Sequence, residues 1–234
     1  MQKSVKLFRN AISLLYQNKE SHISEASIMN LIGNLYIGAG EYEKALEILK
    51  AHNECGVNHD MIGFTYAMIR KPDEAKLHLY QSYSDLLNST IRTFLGMVLM
   101  FGEQKNEKFL EAGLWLAGFL DSIRAGDGVT FIDKLKAVLF AQLALYSAEF
   151  GRTNEAEHYI TEAVRLAHQF DNTPDYSPNA IQFIEGAEMP AVMMDGLGET
   201  AAEAIEWFVF SKAKKTQALE FVKSRFAEMG MMGK

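Results

Sequence analysis

The stretch Met29-Asn30-Leu31-Ile32-Gly33-Asn34-Leu35-Tyr36 returns thirty residues later as His59-Asp60-Met61-Ile62-Gly63-Phe64-Thr65-Tyr66, and this recurrence decides the fold. Isoleucine, glycine and tyrosine keep their offsets. Behind each copy lies an alanine with a leucine four places on, Ala45-x-x-x-Leu49 and Ala75-x-x-x-Leu79. The glycine-to-alanine distance is 12 residues in both (45 minus 33, 75 minus 63). Apolar and small residues at intervals of three and four read as helix. Each copy therefore reads as two helices joined by a short turn, and a period near thirty is that of a stacked helical array.

Two weaker copies follow. One is Arg92-x-x-Leu95-Gly96-x-x-Leu99 with Ala112-x-x-x-Leu116. The other is Phe140-x-x-Leu143-Ala144-x-x-Ser147, then Gly151, then Ala156-x-x-x-Ile160-x-x-Ala163. In the third copy the small residue and the alanine lie 16 apart (112 minus 96), an insertion of four. The copies start 30, 33 and 48 residues apart. The long last gap is filled by lengthened helices around Trp115 to Ile123 and Phe131 to Ala141, joined by Ala125-Gly126-Asp127-Gly128.

The pattern has a packing cause. Antiparallel helices approach closely only where a small residue sits at the crossing, and large apolar residues one turn away fill the space beside it. Gly33, Gly63, Gly96 and Ala144 are the expected crossing residues of the first helices, and Ala45, Ala75, Ala112 and Ala156 those of the second. One pair cannot bury its own face, so pairs stack. Turn chemistry agrees: Gly40-Glu41 ends a helix, Lys71-Pro72 starts one, and Gly151-Arg152-Thr153-Asn154 supplies a glycine stop and a capping residue.

Composition narrows the function classes. Apolar residues make up 48% and charged residues 23% of the 234, an ordinary balance for a folded chain. Net charge is -7, which opposes direct nucleic-acid binding by this chain. The one basic cluster, Lys212, Lys214 and Lys215, reads as a solvated helix face. A single cysteine, Cys55, allows no internal disulfide and fits a reducing compartment. Neither a signal peptide nor a membrane span is visible, so a cytoplasmic protein with no membrane partner is expected.

The repeats resemble the tetratricopeptide family over residues 22 to 170, although the tryptophan usual at that motif's first position is replaced in every copy. More narrowly, four segments resemble the C-terminal repeat domain of bacterial helix-turn-helix or peptide-responsive transcriptional regulators: Ile28 to Tyr36, Phe131 to Ala137, Phe170 to Tyr176, and Asp195 to Ala201. The resemblance implies an all-α, tetratricopeptide-like α-solenoid of antiparallel helix pairs in one domain. Residues 1–18 form a half repeat, 22–170 about four repeats, 171–198 a connector and 199–229 a capping helix. The half repeat rests on Ser4-x-x-x-Phe8-x-x-Ala11, which lines up with Ala156-x-x-x-Ile160-x-x-Ala163. No DNA-binding helix-turn-helix precedes it, so the expectation is a sensor domain cut from, or descended from, a longer protein. Trp207-Phe208-Val209-Phe210 is apolar all round. It suits a helix folded back on the array, or an oligomer contact such as a homodimer.

The resemblance also implies a ligand surface. First helices of such arrays line the inner groove, with residues three before and one after the crossing residue facing it. Here these are Asn30 and Asn34, Asp60 and Phe64, Thr93 and Met97, and Ala141 and Leu145, with Arg92 beside them. Asn30 and Asn34 lie one turn apart and could bond the backbone of an extended peptide. Phe64, Met97 and Leu145 would supply apolar pockets. The expected role is non-catalytic binding of a peptide or protein, as a sensor. The rival reading is a static scaffold for a folded partner.

Three other patterns carry less. His52, Cys55 and His59 offer three donors where a structural zinc usually takes four, and read as turn residues. Gly196-Leu197-Gly198-x-x-Ala201 is a partial dinucleotide fingerprint without the following strand it needs. No catalytic motif is found, so no enzyme activity, cofactor or metal is expected.

Overall fold

In a computed structural model, the residues described are 25–53, 56–184 and 198–231, with five isolated positions between 10 and 17. Among them every regular element is a helix and no strand occurs. The half-repeat residues Ser4 and Phe8 lie outside the described residues. The chain divides into two compact units, residues 1–86 and 87–234.

The first unit holds α1 (Glu25–Ala39), α2 (Tyr42–Ala51), α3 (His59–Met68) and the start of α4 (Pro72–Glu103). Helix α1 ends at Gly40, whose φ is 74°. There the Gly40 N–H donates to the Ile37 carbonyl (3.0 Å) and the Glu41 N–H to the Tyr36 carbonyl (2.9 Å). These two bonds form a Schellman stop, which turns the last carbonyls inward and reverses the chain. The same stop ends α3: Arg70 has φ 59°, its N–H bonds Ala67, and the Lys71 N–H bonds the Tyr66 carbonyl at 3.0 Å.

Within each pair the glycine meets a leucine. A Cβ on Gly33 would stand 2.5 Å from Leu49 Cδ2, and one on Gly63 would stand 2.7 Å from Leu79 Cγ. Both leucines follow their glycine by 16 residues (49 minus 33, 79 minus 63). Ala45, Leu46, Leu49 and Ile62 form one buried cluster of this unit, with Tyr36, Ile37, Tyr66 and Ile69 packed around it, and Ile28, Met29 and Ile32 form another.

The second unit holds the rest of α4, then α5 (Lys108–Ser122), α6 (Phe131–Glu149) and α7 (Thr153–Asn172). A 3-10 turn at Pro178–Ala180, α8 (Ala201–Ile205), a π-helical turn at Glu206–Phe210 and α9 (Gln217–Glu228) complete it. Helix α6 is its centre. Every residue from Phe131 to Ser147 is buried except Lys136 and Phe140. A helix enclosed on all sides needs neighbours all round, and α5, α7, α8 and α9 pack against it. Glycines again mark close approaches: a Cβ on Gly113 would lie 2.5 Å from Leu143, and one on Gly102 2.5 Å from the Tyr146 ring.

The Schellman stop recurs here at Lys105 (φ 53°) and Gly151 (φ 72°). The bonds are Asn106 N–H to Phe101 (2.8 Å) and Arg152 N–H to Ser147 (2.8 Å). Counting seven back from these four stops, each of which leads into a further helix, gives Gly33, Gly63, Val98 and Ala144. This corrects the third copy. Gly96 is exposed, with open space where a Cβ would be, while Val98 is fully buried. Leu95-Gly96 imitates Ile32-Gly33 but sits two residues out of register. Helix α4 also runs unbroken through the expected boundary between copies two and three, because residues 73 to 95 contain neither glycine nor proline.

Two further expectations change. The capping helix is not continuous over 199–229. Its backbone widens at Glu206–Phe210, where the Ser211 N–H reaches back to the Glu206 carbonyl (2.8 Å) and Ser211 Oγ bonds the Trp207 carbonyl. Thr216 then starts α9 by accepting from the Leu219 N–H. At the start of α7 the glycine stop is present, but the N-cap Arg152 provides no side-chain cap.

The connector lies on the loop before α6. The Phe131 N–H bonds Asp175, Ala125 bonds Ala180, and Gln182 bonds Ile123, all within 2.9 Å. Buried polar groups of α6 hold it further. Asp133 accepts the Arg124 guanidinium (2.6 and 3.0 Å) and the Thr130 N–H. Lys134, 1% exposed, donates to Tyr176 Oη (2.8 Å) and to the Gly198 carbonyl, facing the Phe170 and Tyr176 rings. Gln142 is also fully buried, yet among the described residues neither of its amide atoms has a partner.

Gly33→Ala is expected to cost about 1–3 kcal/mol, because Leu49 is buried and cannot move aside. Gly96→Ala is expected to stabilise by about 0.5–1 kcal/mol, as for an exposed helical glycine. Urea denaturation midpoints check both, and a cost at Gly96 would restore the first register. Gln142→Leu is expected to raise stability by about 1–2 kcal/mol by removing unsatisfied polar atoms. A fall on the same measurement would show that the amide is hydrogen-bonded in solution.

Candidate functional site

The residues expected to face a ligand divide between the two units. In the first, Asn34 and Asp60 are exposed, and Phe64 is 50% exposed on α3. Leu31 on α1 and Met68 on α3 are exposed apolar side chains of the same helices. Asn30 differs from its expected neighbour Asn34. Its Nδ2 donates to Asn58 Oδ1 at 2.6 Å. Asn58 is fully buried just before α3. Its own amide donates to the Leu49 and His52 carbonyls, and its backbone N–H is accepted by Asn53 Oδ1. Asn30 thus joins a polar knot that ties α1 to the turn between α2 and α3, and the two asparagines do not act as a matched pair.

In the second unit Arg92 and Thr93 are exposed on α4, and Met97 is 36% exposed. The Arg92 guanidinium bonds the Asn88 carbonyl of its own helix at 3.3 Å. Leu145 is a correction: it is 3% exposed, and Ala141 is fully buried. Both belong to α6, which is enclosed all round and offers no groove-facing side. Nothing in the local pattern marks this enclosure, because the segment reads as one more first helix.

An aromatic group that sequence reasoning missed lies on α4 and α5. Phe94 stacks on Trp115 with centroids 3.9 Å apart and 16° between planes. Trp115 stacks in turn on Phe119, 5.4 Å away and 8° off parallel. Trp115 remains half exposed, and Leu114 and Met100 are exposed apolar neighbours in sequence on the two helices. The i, i+4 spacing of Trp115 and Phe119 was the available signal. Elsewhere in this unit Trp207 is half exposed, with the Lys212 ammonium 5.4 Å from its ring.

Titration behaviour points to packing. The Tyr146 phenol is pushed well above its ordinary range, first by burial and then by the Glu103 and Glu149 carboxylates. In the first unit, burial, His59 and Lys50 push the His78 imidazole down. Among the described residues no group of three or more His, Cys, Asp and Glu could hold a metal. Cys55 lies outside them, as do Gly196 and Leu197 of the partial fingerprint. The N–H groups of Ala201 and Ala202 that open α8 are bonded to the Asp171 carboxylate, at 2.6 and 3.2 Å. No described helix is long and apolar enough to cross a membrane. Comparison with protein-family models, curated proteins and solved structures finds no match.

Asn58→Ala is expected to destabilise the first unit by about 2–4 kcal/mol, since it strands several buried partners. Asn30→Ala should cost less, about 1 kcal/mol, because one bond is lost. Backbone hydrogen exchange of α1 to α3 checks this order, and equal, negligible effects would return Asn30 to the role of a surface residue.

Proposed function

We propose that this chain is a non-catalytic helical-repeat binding module of the tetratricopeptide type, which takes a peptide or protein ligand on the exposed faces of its helices. The observation that carries the reading is the repeated contact of Gly33 with Leu49 and Gly63 with Leu79 at one spacing, each pair turned by the same Schellman stop. Pairs built alike and joined in series are how such arrays extend an exposed surface. Exposed Asn34, Asp60 and Phe64 in the first unit provide polar and apolar contacts. The Phe94, Trp115 and Phe119 stack in the second provides a rigid apolar platform, the side-chain type that dominates binding energy. The resemblance to peptide-responsive regulators supports a sensing role in a bacterial transcriptional regulator.

The test is selection of short peptides from a displayed random library on the full chain, followed by calorimetric titration of the winners. Enriched peptides are expected to bind with Kd of about 1–100 μM, corresponding to roughly 5–8 kcal/mol. Phe64→Ala or Trp115→Ala should weaken them at least about tenfold, about 1.4 kcal/mol. Circular dichroism checks that each variant is folded at the titration temperature, since Trp115→Ala also gives up its stacking on Phe94 and Phe119, about 0.5–1.5 kcal/mol per pair. If no peptide is enriched, or if binding ignores both substitutions, the peptide reading is lost and a scaffold for a folded partner takes its place.

A further inference from the structure

Helices α3 and α4 meet within the first unit through two histidines. His59 Nδ1 and His78 Nδ1 are 2.7 Å apart, and their ring centroids 4.9 Å. Two ring nitrogens this close need one hydrogen between them, so one ring donates and the other accepts. We propose that His59 and His78 form an acid-sensitive joint, holding α3 to α4 through this shared hydrogen and releasing it when both rings are protonated. The first added proton leaves the bond intact, because an imidazolium can donate to a neutral imidazole. The second puts a hydrogen on each Nδ1, and two donors with like charge then face each other.

The surroundings add positive charge near the pair. The Tyr66 ring of α3 stacks on His78, with centroids 5.8 Å apart. The Lys50 ammonium of α2 stands 3.4 Å from Tyr66 Oη, adding a second positive charge on that side. The carboxylates nearest in sequence are Asp60, beside His59 on α3, and Glu74, one turn before His78 on α4. Both are exposed, and Glu74 is shared with Lys71 at 4.0 Å. Burial first, and then the charges of His59 and Lys50, hold the His78 pKa below the ordinary 6.5. The folded chain therefore binds fewer protons here than the unfolded chain between those two values. The joint's contribution to stability is intact above pH 6.5 and is lost as pH falls through the lower, folded value. Helix α3 presents Asp60 and Phe64, so the state of the joint sets how these side chains stand relative to α4. This holds whatever ligand the chain takes.

The test is an NMR titration of the histidine ring signals of the full chain from pH 8 to about pH 5, above the range where most carboxylates titrate. Amide exchange, corrected for its intrinsic pH dependence, is followed in parallel. The expected result is two separated steps for the coupled pair. Protection of α3 and the adjoining turns of α4 should fall at least about tenfold across the second step, a change of about 1.4 kcal/mol. Protection of α6 should stay level. His78→Gln keeps a hydrogen-bonding side chain that does not titrate, and it should abolish this fall. A single common step, constant protection in wild type, or an undiminished fall in His78→Gln each overturns the proposal. Should His78→Gln not fold, His59→Gln serves the same comparison, and the wild-type titration decides alone if neither folds.

Discussion

Close approach between helix backbones is the constraint on which this molecule depends. Where a glycine faces a leucine, as Gly33 faces Leu49 and Gly63 faces Leu79, no side chain keeps the axes apart, and the leucine fills the space a Cβ would occupy. Dispersion contacts are individually weak and count only when many atoms lie near their optimal separation. A helix of ten residues, such as α2 or α3, has little stability alone, so such contacts supply what intrinsic propensity does not. The Schellman stops make the approach possible, because they return the chain at once and bring each second helix back along the first.

The first two pairs were readable in the sequence because every signal coincided: glycine, alanine, leucine and the turn at fixed offsets. The third was misread because local composition and turn geometry disagreed. Gly96 has the right neighbours, but the stop that sets the register is Lys105, and no proline follows it to mark the turn as Pro72 marks the stop at Arg70. Helix α4 shows the same limit from the other side. A repeat boundary was expected within it, yet the chain there offers nothing that breaks a helix, and local physics prevailed over periodicity.

The candidate surface was legible only where a side chain's exposure follows from its own helix. Phe64 is exposed on its helix; Met97 is exposed too, but its expected place followed from the Gly96 register, which the structure shifts by two residues, and Leu145 is buried in an enclosed helix. Asn30 is the instructive intermediate. Its position on the helix was read correctly, but its partner Asn58 lies 28 residues away and no periodicity links the two. The stack of Phe94 on Trp115 joins separate helices in the same way. Long-range pairings of this kind decide which polar and aromatic groups remain for a ligand, and they are set by tertiary packing.

The enclosure of α6 bears on how the chain is made. The helix is synthesised before α7, α8 and α9, so several of the neighbours that will cover it come later. Until they arrive, part of its apolar surface is left to water, and Lys134 lacks Tyr176 and the Gly198 carbonyl. A nascent chain in that condition is open to adhesion and misassembly. Completion of the second unit therefore depends on its last helix, and translation arrested short of α9 would leave a sticky, half-clothed intermediate in need of a chaperone.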